Sequence, residues 1–101
     1  MLKNLLPIGS VVTLKGSPKK VMVIGIKQIF PSEPQTIYDY IGVLYPEGFL
    51  GKEANVLFNH AEITEVVFTG YENPEREQFI DFINDAYKKL INNAPFFSEE
   101  G

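Results

Sequence analysis

The chain predicts an α+β domain, a small five-stranded antiparallel SH3-like barrel or curled sheet packed by one C-terminal amphipathic helix. Three observations lead there. Short β-branched and aromatic runs alternate with Gly and Pro turns from about residue 10 to about residue 68. Gly42 sits inside one of these runs, at the kind of position where a sheet bends or bulges. After Gly70 the period changes, and Asn73-Pro74 opens a stretch with helical periodicity.

The first strand is Ser10-Val11-Val12-Thr13-Leu14, stopped by the Lys15-Gly16-Ser17-Pro18 turn. Val21 to Ile26 is apolar at consecutive positions and extends toward Phe30 before Pro31 and Pro34, so it reads as a strand covered on both faces. A third strand runs from about Ile37 to Tyr45 and ends at Pro46-Glu47-Gly48. Beyond Gly51, Val56-Leu57-Phe58 is a short strand, Asn59-His60-Ala61-Glu62 a turn, and Ile63 to Phe68 the last strand. Asn73 suits an N-cap, Pro74 the first helical position, and Glu75 and Glu77 the positive end of the helix dipole, so a helix is expected over about 74–92. Phe79, Ile83, Ala86 and Leu90 form the expected centre of its apolar stripe. Phe82 lies on one flank and Ile80, Tyr87 and Ile91 on the other, with Asp81, Asn84, Asp85, Lys88 and Lys89 opposite. This helix is expected to cover the outer face of Val21–Ile26. Residues 93–101 form the expected frayed tail.

The 101 residues make one domain, and 45% hydrophobic with 22% charged residues is the composition of a chain that folds on its own. A net charge of −4 without clustered Lys or Arg argues against nucleic acid. There is no cysteine, hence no disulfide or thiolate metal site. The apolar run before Pro7 is too short for a signal peptide, and no stretch of roughly 18 apolar residues exists to insert in a membrane, so a cytoplasmic location is expected.

Catalytic chemistry is not visible. His60 is the one histidine and has no further ligands at a metal-binding spacing, so it reads as a turn-stabilising hydrogen-bonder or a surface residue. Asp39 and Glu47 sit on a strand and in a turn without a positioning partner, and Gly42, Gly48 and Gly51 lack the spacing of a phosphate loop. No enzyme, metal or cofactor is expected. Tyr38 and Tyr40 share one strand face with Leu44, while Ile41, Val43 and Tyr45 share the other; the tyrosines serve either cross-strand packing or contact with a partner. The wide helix stripe leaves Ile80, Tyr87 and Ile91 at its border. Tyr38, Tyr40, Ile80, Tyr87 and Ile91 are therefore the candidate protein-binding residues, and the spare helix face can equally bury itself in a homodimer.

LLPIGSVVTLKGSPKKVMVIG, YDYIGVLYPEG and LFNHAEITEVVFTGYEN, in that order, resemble a family of small bacterial proteins with a domain of unknown function, encoded in type VII secretion gene clusters of low-GC Gram-positive bacteria. The likeness spans about Leu5 to Tyr87, with YPEG and FNH its most specific parts, and Phe96 and Phe97 lie outside it. The resemblance implies a cytoplasmic accessory protein, a chaperone or targeting adaptor that binds a secreted effector encoded nearby. The alternative is an immunity protein that neutralises a toxin domain by direct binding. Immunity favours a concentrated acidic patch. The carboxylates of Glu47, Glu53, Glu62, Glu65 and the helix are spread along the chain, so the adaptor reading leads.

Overall fold

The computed structural model describes residues 5–30 and 33–93, with the backbone alone at 29–30, 33–36 and 87–93. Five strands, β1 (Val11–Leu14), β2 (Lys20–Phe30), β3 (Glu33–Tyr45), β4 (Val56–Phe58) and β5 (Ile63–Phe68), precede one helix, α1 (Pro74–Asn93). They form one antiparallel sheet in the order β4-β3-β2-β1-β5. The sheet is curled but not closed: β4 and β5 stand at opposite edges instead of meeting as a barrel requires. Between them lies a single 3-10 turn, His60–Glu62, which carries the chain from one edge to the other.

β2 and β3 are longer than the prolines suggest. Their ladder runs on to Phe30 and Glu33, so Pro34 lies within β3. Proline removes a ladder donor, and it is tolerated here because β4 pairs only with Tyr40 to Gly42, leaving the Pro34 stretch of β3 at an edge. The bend expected at Gly42 is present. The register between β2 and β3 shifts between Val23 and Gly25, opposite Gly42 and Ile41, and a Cβ on Gly42 would collide with the Val21 side chain and the Met22 carbonyl. No larger residue fits that approach.

Leu5, Val12, Leu14, Val21, Val23, Tyr40, Phe58 and Ile80 form the core, with Leu44, Val56, Ile63 and Ile83 packed at its margin. Alternation along β2 sends Val21 and Val23 into this core and leaves Met22 on the other face, directly between its register partners Val11 and Val43. α1 packs on the core side and not on the outer face of β2. Ile24 on β2 is accordingly exposed.

The helix starts as its sequence dictates. Asn73 Oδ1 accepts the Arg76 N–H at 3.0 Å, and Pro74, Glu75 and Glu77 fill the first turn. Its rotation about its own axis differs from the expected one. Ile80 is 2% exposed, whereas Phe79 is 52% and Phe82 69% exposed, and Ala86 is exposed as well. The buried stripe is centred on Arg76, Ile80 and Ile83. Arg76 sets this phase: its guanidinium donates to the Leu5 carbonyl at 2.7 Å, which turns the Arg76 side of the first turn toward the sheet. Among the described residues no helix is long and apolar enough to cross a membrane.

Candidate functional site

The YDY and NH segments meet in space. Asp39 Oδ2 accepts the His60 backbone N–H at 2.9 Å, and Asp39 N–H donates to Asn59 Oδ1 at 3.0 Å. Asn59 and Glu62 complete a reciprocal capping box around the 3-10 turn, with Asn59 N–H donating to Glu62 Oε2 at 3.1 Å. Tyr40 Oη accepts the Leu6 N–H at 2.8 Å and lies 2.7 Å from His60 Nδ1. The Tyr40 ring stacks on Phe58 with centroids 5.1 Å apart.

On the neighbouring strand, Lys27 takes a left-handed backbone, φ 51°, which costs a side-chain-bearing residue about 1–2 kcal/mol. Its ammonium donates to Asp39 Oδ1 at 2.9 Å. Desolvation pushes the Asp39 carboxyl up, but the His60 N–H and the Lys27 ammonium together outweigh it and hold the group below the usual carboxylate range. Burial raises the Tyr40 phenol, so it remains a protonated hydrogen-bonder at neutral pH. Asp39 and Tyr40 thus join β3 to the β4–β5 connection and to the segment before β1, and Lys27 ties β2 into the same cluster. The cluster is a latch. No group of three or more metal-ligating side chains occurs among the described residues.

The structure separates the five candidate binding residues. Tyr40 is fully buried and Ile80 nearly so, and both are core residues unavailable to a partner in this state. Ile80 is buried because the helix is rotated relative to the expected phase; Tyr40 is buried because its ring packs in the core on Phe58 while its hydroxyl reaches Leu6 and His60. Tyr38 is half-buried in register with Gln28. The side chains of Tyr87 and Ile91 lie outside the described residues, as do Phe96 and Phe97.

The spare flank of α1 exists, turned about 100° or more from Ile80. Phe79 and Phe82 stand on it, and Tyr71, 79% exposed, precedes it. Between Tyr71 and Phe79 on one wall and Leu6, Ile8 and Ile26 on the other runs a groove of about 330 Å³. A second depression, about 420 Å³, lies on the outer sheet face among Met22, Tyr45 and Phe68. Phe79 and Phe82 are apolar in sequence like Ile80 and Ile83, and the two flanks are distinguished by contacts across the fold, the core packing of Ile80 and the bond from Arg76 to Leu5.

No curated protein and no solved structure matches the chain. A family model matches residues 5–79, from the segment held by Tyr40 and Arg76 to the groove residue Phe79. The latch and most of the groove thus lie within the matched region, and the chain belongs to the family described as a domain of unknown function, DUF4176.

Proposed function

We propose that this protein is a non-enzymatic accessory factor whose work is to bind another protein, as a chaperone or targeting adaptor for a secreted effector encoded nearby in a type VII secretion locus. One observation carries the binding role: Phe79 and Phe82 project from a helix whose opposite side is fixed in the core, presenting large apolar side chains on a rigid support. Aromatic anchors on regular elements are the usual centres of binding energy at interfaces. The site-like polar cluster supports the same reading, since Asp39, Tyr40 and His60 are occupied with one another and with main-chain groups. The secretion context rests on the resemblance of the YDYIGVLYPEG and LFNH segments, and a cytoplasmic place of action follows from it.

A second reading, an immunity protein against a toxin domain, would set Glu72, Glu75 and Glu77 at the start of α1 against a basic cleft, and it stands behind the adaptor because Glu47, Glu53, Glu62 and Glu65 are spread elsewhere along the chain. Co-expression of the tagged chain with each neighbouring gene product, followed by affinity capture and proteolytic mapping of what is retained, tests both. Retention of an effector's leading segment supports the adaptor, and retention of a toxic domain supports immunity. Capture of neither removes both the adaptor and the immunity role.

A further inference from the structure

We propose that the groove between α1 and the segment leading into β1 is the docking site for a cationic amphipathic helix of a partner protein; this rests on the binding role proposed above and names its surface and the partner's chemistry. At about 330 Å³ the groove is at the small end of binding pockets and accepts apolar side chains projecting from a partner. Phe79 and Phe82 are three residues apart, so they form a ridge on one helix face that continues past the groove. A second helix with apolar residues at i, i+3 and i+4 matches such a ridge.

Charge selects the occupant. Residues 71–86 contain Glu72, Glu75, Glu77, Asp81 and Asp85 against Arg76 alone, a net −4 that equals the charge of the entire chain. Lys88 and Lys89 follow on the same helix, so residues 71–93 carry a net −2, and the acidic excess lies in the first part of α1, beside the groove and the apolar ridge. A second copy of this chain would bring like net charge against itself across a two-fold contact, and an anionic lipid surface is repelled for the same reason. Strand addition at the β5 edge is disfavoured too: β5 has two register irregularities against β1 and carries Glu65, devices that blunt an edge. A helix with an apolar stripe bordered by Lys or Arg answers both features of the surface.

The test uses fluorescence anisotropy with a labelled Leu/Lys peptide of about 18 residues, Leu placed at helical spacing, and its Leu/Glu counterpart. The Lys peptide is expected to bind and to weaken as salt rises from about 0.05 to about 0.5 M, while the Glu peptide binds at least about tenfold more weakly. Phe79→Ser with Phe82→Ser, which changes no charge, is expected to weaken the Lys peptide at least about tenfold, and Phe68→Ser on the outer sheet face to leave it unchanged. Should the double variant fail to fold, Tyr71→Ser carries the same expectation from outside the helix. Equal binding of the two peptides, full binding by a folded groove variant, or loss in Phe68→Ser instead overturns the proposal. A neighbouring gene product retained in full by the folded groove variant overturns the site and leaves the adaptor role standing. Peptide binding at the groove with no neighbour captured keeps the site and removes that role.

Discussion

The rotation of α1 about its axis can be tested with one pair of truncations. Ile80→Ala removes a side chain that is 2% exposed and belongs to the buried core cluster, so it costs the lost transfer energy plus the cavity left between helix and sheet, about 2–5 kcal/mol. A domain of this size has on the order of 5–10 kcal/mol to lose. At about 4–8 °C per kcal/mol, the melting temperature should fall by about 8–40 °C. Phe82→Ala removes a larger side chain that is 69% exposed, and should change stability by less than about 0.5 kcal/mol. Thermal unfolding followed by circular dichroism, with urea titration to convert the shifts into free energies, measures both variants. A small shift for Ile80→Ala together with a large one for Phe82→Ala would refute the reasoning and restore the stripe centred on Phe79.

Tyr40→Phe removes the acceptor for Leu6 N–H and the partner of His60 Nδ1 while keeping the ring on Phe58; a loss of about 1–3 kcal/mol in urea unfolding is expected, and an unchanged midpoint would show that the latch contributes nothing. The Asp39 carboxyl is depressed in the folded protein, so its contribution is present above the unfolded carboxylate value near ~3.9 and is lost as pH falls through the folded one. The stability gap between wild type and Asp39→Asn should accordingly be widest near neutral pH and shrink in acid; a gap constant from neutral pH to about pH 3 would contradict this. Gly70→Ala places a Cβ against the Ile8 carbonyl, which is main chain and cannot swing aside, so destabilisation of about 1–3 kcal/mol by melting is expected; wild-type behaviour would show that the approach is looser than it stands.

Local chemistry was readable in the sequence and long-range choice was not. The order of five strands followed by a helix is visible in Gly and Pro punctuation, and the helix start in Asn73-Pro74, because turns and caps are satisfied by neighbours a few residues away. The phase of α1 was hidden. Phe79, Ile80, Phe82 and Ile83 are all apolar, and the choice among their faces is made by Arg76 reaching Leu5. The length of β3 escaped for a similar reason, since Pro34 is a strand breaker only where a second neighbour needs its missing donor. Of the latch, the reciprocal cap between Asn59 and Glu62 follows a local pattern, while the meeting of Tyr40, His60 and Leu6 needs the fold.

The segment from Leu5 to Ser10 is seated by its main chain together with the buried Leu5 and Ser10 side chains. Tyr40 receives the Leu6 N–H, Arg76 binds the Leu5 carbonyl, and Gly9 N–H and the Ser10 carbonyl exchange bonds with Val23. The instructions for where this wall stands are thus written elsewhere in the chain, on β2, β3 and α1. Ile8, which is exposed on the groove side, is released from that duty. Its side chain can change size or polarity while the wall keeps its position, so relatives sharing the fold can present differently shaped grooves, and an engineer can re-aim the surface at a new ligand by recoding a single position.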